Sequence, residues 1–124
     1  MTESPINSYR DLVVWQKAMQ LSLEIYAVTK GFPAEERFGL TNQLRRAAVS
    51  VPSNIAEGYG RGSQADYLRF LRTARGSLAE IDTQMLIAEG LHFVDHERYQ
   101  QVLALVNECG RILAGLIRRL ESES

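Results

Sequence analysis

Apolar residues recur along this chain at spacings of three and four, and no stretch keeps the strict alternation of a strand, so the pattern reads as all-α. The clearest series is Tyr67, Leu71, Ala74, Leu78, Ile81, Met85 and Ala88, the seam of a bundle helix packed at about 20° to its neighbours. Ser63, followed three residues on by Asp66, predicts a capping box at its start, and Gly90 ends it. Asp95 is the N-cap expected for a fourth helix, with Tyr99, Val102, Val106, Cys109, Leu113, Leu116 and Leu120 toward the core and Leu105 and Ile112 widening that face.

The first helix is expected from about Asp11 to Thr29, with Gly31 behind it. One stripe holds Leu12, Trp15, Met19, Ser22 and Tyr26, and beside it lie Val14, Ala18, Leu21, Ile25 and Val28. Together they cover roughly 220° of the helix, about twice the arc of a helix with one buried face. A single bundle would leave Val14, Leu21 or Val28 exposed, which predicts self-association. The second helix is expected to open at Pro33, run through Leu40, Leu44, Ala47, Val51 and Ile55, and stop at Gly58. Pro52 lies inside it and removes the hydrogen bond to the Ala48 carbonyl, so a kink is expected, with Ser53 and Asn54 satisfying the freed groups. Short connections then give an up-down-up-down antiparallel four-helix bundle over residues 9–120, with residues 1–8 and 121–124 loose.

Composition narrows the picture. A chain of 124 residues that is 45% hydrophobic builds one domain with a real core. No basic segment followed by an apolar run opens the chain and no apolar run could span a bilayer, so the expectation is a cytoplasmic protein with no membrane partner. Cys109, the only cysteine, excludes an intrachain disulfide and reads as a small buried hydrophobe.

The net charge is −1, yet the charge is unevenly placed. From Arg45 to Arg75 six arginines face only Glu57 and Asp66, so that window carries +4 and the remainder −5. Arg45, Arg46, Arg61, Arg69, Arg72 and Arg75 are therefore the candidate nucleic-acid-binding residues. Competing readings are salt bridges, with Arg45 or Arg46 pairing with Glu57, and a solvated face for Arg69, Arg72 and Arg75. The turn Gly58-Tyr59-Gly60-Arg61-Gly62 offers backbone N–H groups at a helix start, a weak anion site set against a plain connector. His92 and His96 are four apart but straddle a loop, Glu89 and His92 form no second copy, and neither Ser63 nor Ser77 has a histidine placed to activate it. No catalytic, metal or cofactor site is expected.

The run DLVVWQKAMQL in the first helix, QLRRAAVSVPSNIAEGYGR in the second and FLRTARGSLAEIDTQ in the third resembles the four-helix-bundle family of 23S ribosomal RNA intervening-sequence proteins, over about Tyr9 to Leu120. Gln43, Leu44, Arg46, Ala47, Asn54, Ile55, Glu57, Gly58 and Arg61 carry it. The resemblance implies an up-down-up-down bundle that assembles into a cyclic pentamer. It also implies kinship with the accessory protein of diversity-generating retroelements, a basic pentamer that works with a reverse transcriptase and nucleic acid, from whose charge this acidic chain departs. The expectation is a non-enzymatic homo-oligomeric scaffold that binds RNA or DNA through the arginines. Its alternative is a protein-interaction module in which those arginines make intersubunit salt bridges.

Overall fold

The computed structural model describes residues 6–123. The expected looseness of residues 1–5 and of Ser124 lies outside them. Among the described residues there are four α-helices and no strand: α1 Val13–Thr29, α2 Leu40–Tyr59, α3 Gln64–Gly90 and α4 His96–Ser122. Two 3₁₀ turns, Tyr9–Asp11 and Ala34–Glu36, precede α1 and α2.

Helix starts depart from expectation where a short turn captures the first residues. Asp11 belongs to the first 3₁₀ turn, because Ser8 Oγ accepts the Arg10 N–H and the Asp11 carboxylate accepts the N–H groups of Asn7 and Ser8. Pro33 opens only the second 3₁₀ turn. Glu36 then accepts the Leu40 N–H at 3.0 Å and starts α2 seven residues beyond the proline. A β-carbon on Gly39 would stand 2.8 Å from that carboxylate oxygen, so glycine leaves it room. Ser63 caps α3 by accepting the Asp66 N–H, but Asp66 gives its carboxylate to Arg69, so only half of the capping box forms. Asp95 caps α4 as expected, accepting the Arg98 N–H at 2.7 Å.

Each helix touches two neighbours, α1 with α2, α2 with α3, α3 with α4 and α4 with α1, while the diagonal pairs stay apart. Contacts such as Ser22 with Ala48 and Thr29 with Arg45, or Ser50 with Ser77 and Gln43 with Gln84, pair rising numbers on one helix with falling numbers on the next. The α3 seam is buried from Leu71 to Ala88, with Leu68 and Phe70 added and Tyr67 half-buried. On α4 the stripe steps from Leu113 to Ile117 instead of Leu116, since a helix of 3.6 residues per turn drifts off a strict seven-residue repeat. Leu116 and Leu120 are half-buried, and α4 continues past Leu120 to Ser122. Burial pushes the Cys109 thiol up to about 11, so it stays protonated and inert.

Val14, Leu21 and Val28, expected outside a single bundle, are buried within it, because α1 is covered by both α2 and α4. The large apolar side chains that do emerge from α1 are Val13, Leu23 and Tyr26.

Helix α2 runs without interruption through Pro52. The Ala48 carbonyl, deprived of its helical donor, accepts the buried Ser22 hydroxyl of α1 at 2.6 Å. Neither Ser53 nor Asn54 does this: Asn54 turns back to the Ser50 carbonyl at 2.8 Å. Ser22→Ala would strand a buried acceptor and is expected to cost about 1–3 kcal/mol. Pro52→Ala restores the helical donor, so the cost of Ser22→Ala should fall to a few tenths in that background. Urea denaturation of the four proteins in a double-mutant cycle measures the coupling, and an equal Ser22→Ala cost with and without Pro52 would refute it.

Candidate functional site

The bundle divides the six candidate arginines among separate places. Arg45 is drawn toward α1, where its Nε donates to Thr29 Oγ1 at 2.9 Å and its guanidinium lies 4.7 Å from the Tyr26 ring centre. Its neighbour Arg46 is exposed between α2 and α3, beside Gln43, Ser50, Ser77, Glu80 and Gln84. Arg61 pairs with Glu57 at 2.8 Å, taking the acid that Arg45 or Arg46 was expected to meet, because a four-residue helical step brings the two together. Arg61 and Arg69 both stack on Phe70, at 4.9 and 4.6 Å from its centre, and Arg69 also reaches Asp66. Arg72 bonds Glu121 of α4 at 2.7 Å. Arg75 is exposed and makes no ion pair among the described residues; with Asp82 of its own helix and Arg111 of α4 it lines a groove of about 450 Å³ floored by Leu78, Val106 and Gly110. Arg111 escaped sequence reasoning because only the fold brings it beside the arginine-rich window.

The glycine-rich turn is a packed joint. Gly62 takes the left-handed φ of +85° that spares a side chain there. Gly58, expected to stop α2, lies inside it and is buried against α3, while Gly60 closes the helix by donating to the Ala56 and Glu57 carbonyls. A β-carbon on Gly58 would stand 2.6 Å from the Phe70 β-carbon and 3.3 Å from the Tyr67 ring, so glycine permits the close approach of α2 and α3. The N–H groups of Asp66 and Tyr67 are already taken by Ser63, and Arg61 is turned to Glu57 and Phe70. The cation of the turn and the N–H groups of Gly60, Arg61, Asp66 and Tyr67 are thus engaged within the turn itself. Tyr67 Oη is buried beside it without a hydrogen-bond partner among the described residues, and burial, reinforced by Tyr59 and opposed by Arg119, holds the phenol pKa above its ordinary value.

His92 sits in the α3–α4 loop at φ +62°, while His96 opens α4 and its Nδ1 contacts Glu89 at 2.6 Å. Among the described residues no three potential metal ligands gather. Ser77 is paired with Ser50 at 2.8 Å.

The most distinctive surface is one that sequence reasoning did not assemble. Between α1 and α2 runs a groove of about 430 Å³ lined by Trp15, Met19, Leu23, Tyr26, Val49 and Pro52 among others, with no charged residue in its lining. Leu23 is 66% exposed, Val49 45% and Tyr26 40%. Arg10 and Arg45 border it at either end, stacked on Tyr9 and Tyr26. Its signal was the wide apolar arc of α1, but Leu23 and Val49 fell outside the stripes chosen as core.

Fold and surface together define a helical-bundle protein with an exposed apolar groove. Residues 10–115 match the 23S rRNA-intervening sequence protein family, and the chain belongs to that family. Among solved structures it is similar to a protein of unknown function from the S23 ribosomal protein family of Bacteroides thetaiotaomicron, with 21% identity and a TM-score of 0.77 over 85% of this chain and 98% of that one. No curated protein matches it. No helix among the described residues is long and apolar enough to cross a membrane.

The Gly58 joint makes a direct prediction. Gly58→Ala places a methyl group against the Phe70 β-carbon, which cannot swing aside, and is expected to cost about 1–3 kcal/mol by overpacking despite alanine's better helix propensity. Gly76→Ala, which meets open space on α3, is the control and is expected to stabilise. Thermal midpoints of the two variants test the pair.

Proposed function

We propose that this chain is a non-enzymatic helical scaffold that assembles with copies of itself, its working surface being the apolar groove between α1 and α2. The observation that carries this reading is the composition of that groove. Tryptophan, tyrosine and methionine around a charge-free centre, with arginines at the border, are the residues enriched where proteins meet. The arginine-rich window supports it from the other side, since Arg45, Arg61, Arg69 and Arg72 are engaged within the chain. The assembly is a closed ring in this reading, with five copies the size implied by family resemblance. Light scattering at micromolar concentration is expected to give an oligomer, and Leu23→Glu is expected to dissociate it without loss of helical circular dichroism. A wild-type monomer would overturn the proposal.

A second reading, nucleic-acid binding, is favoured by Arg75 and Arg111, which line the α3–α4 groove with Asp82 as its one acid. A single such pair is weak, but repeated around an assembly it gains avidity. Binding of this kind is expected to weaken steeply with salt, and Arg75→Gln with Arg111→Gln to flatten that slope, whereas Arg61→Gln leaves it unchanged. Fluorescence anisotropy with labelled RNA and DNA across a salt series tests it, and no binding at low ionic strength would remove it.

A further inference from the structure

The outer face of α2 carries positive charge that no acid answers. From Leu40 to Ala56 the helix holds two arginines and no aspartate or glutamate, and Glu57, the next acid, is taken by Arg61. Asn42, Arg45, Arg46, Val49, Ser53 and Asn54 fall in one stripe about 18 Å long and line a groove of about 670 Å³, with Tyr26 of α1 at its side. Other grooves with arginines are different: the α3–α4 groove holds Asp82 and the α2–α3 groove holds Glu80. Arg46 stands between the stripe and that second groove, yet it pairs with neither Glu80 nor any other acid among the described residues. Arg45 is held by neutral groups alone, the Thr29 hydroxyl at 2.9 Å and the Tyr26 ring at 4.7 Å, so it is fixed in place with its charge uncompensated. The Asn54 amide is spent on Ser50, whereas the Asn42 amide and the Ser53 hydroxyl make no hydrogen bond within the described residues.

From two uncompensated guanidinium groups with neutral donors between them, we infer that the outer face of α2 is a binding site for the phosphate group of a small organic phosphate monoester. The charge selects an anion, and the number of donors selects its kind. A carboxylate offers two oxygens and one negative charge; a phosphate monoester offers three terminal oxygens and, near neutral pH, close to two charges. Two guanidinium forks with an amide and a hydroxyl between them match the second. The groove is also far larger than a phosphate. Val49, 45% exposed, and Tyr26, 40% exposed, give its remaining length an apolar surface against which the organic body of the ester lies. This site is separate from the α3–α4 groove of Arg75 and Arg111, and it does not depend on whether the chain assembles.

Calorimetric titration of the whole protein at low ionic strength tests the site, with adenosine 5′-monophosphate, inorganic phosphate, adenosine and an oligonucleotide lacking terminal phosphates as probes. The monophosphate is expected to bind saturably, inorganic phosphate more weakly and adenosine not at all. Asn42→Asp is nearly isosteric and sets an acid in the first turn of α2, where the helix dipole favours it, so the fold is kept while the site is neutralised. It is expected to weaken binding about tenfold or more, as is Arg46→Gln at an exposed position, whereas Arg75→Gln leaves binding unchanged. Helical circular dichroism checks that each variant is folded. Absence of binding by both the monophosphate and inorganic phosphate overturns the inference, as does binding that Asn42→Asp and Arg46→Gln leave intact. Adenosine binding as well as its monophosphate would remove the phosphate from the recognition. Equal affinity for inorganic phosphate and the ester would overturn the assignment to an ester and leave free phosphate as the ligand. An oligonucleotide that binds through Arg46 when the monophosphate does not would replace the small ester with a nucleic-acid strand.

Discussion

One buried hydrogen bond, from the Ser22 hydroxyl of α1 to the Ala48 carbonyl of α2, sets how the first half of the bundle fits together. A proline inside a helix leaves the carbonyl four residues before it without its donor, and a buried orphan acceptor is costly. Here the neighbouring helix supplies the donor, so the defect in α2 becomes a fixing point between helices. The hydroxyl must sit within hydrogen-bond reach of one particular carbonyl, which settles both the register and the rotation of α1 against α2. That register places Met19, Leu23 and Tyr26 opposite Val49 and Pro52, so the groove exists in this form because of the bond beneath it.

The second joint works by close approach. Gly58 lets the backbone of α2 come against Phe70 of α3, and Arg61 and Arg69 stack over the ring that the glycine admits. Each of those arginines is further held by an acid on its own helix or turn, Glu57 for one and Asp66 for the other. Exposed pairs of this kind contribute little individually. Their consequence is that two of the positive charges which stood out along the sequence are directed at the protein itself, while Arg75, farther along α3, lines the α3–α4 groove with Asp82 and Arg111.

Most of the fold was legible because helix seams and caps are local signals. The α3 seam, the Asp95 cap and the end at Gly90 depend on residues a few positions apart, and all of them stand. What misled was context. Pro33 is a good first residue for a helix, but Gly39 and the Glu36 carboxylate start α2 later. Gly58 reads as a stop, yet its role depends on Phe70 twelve residues away. The arc of α1 correctly looked too wide for one buried face, but whether Val14, Leu21 and Val28 were covered depended on two flanking helices at once. The arginine window was visible, while its dispersal was not, because adjacent arginines on α2 diverge and the second arginine of the groove that Arg75 lines comes from α4. The groove was least legible of all, since it consists of residues whose exposure only the packed bundle decides.

Self-assembly through the α1–α2 groove would also bear on the arginines left outward. In such an assembly successive copies are related by one repeated operation, so the α3–α4 face of each recurs at a constant interval. The Arg75 and Arg111 pair is too small to hold a polyanion tightly by itself, and the chain as a whole is slightly acidic. Repetition changes the arithmetic, because a ligand long enough to span two faces meets the second at a high effective concentration. Under the proposed assembly, anion binding and self-assembly would be coupled: a polyanion that bridges copies would favour the assembled state, and loss of the groove contact would cost binding without touching any arginine.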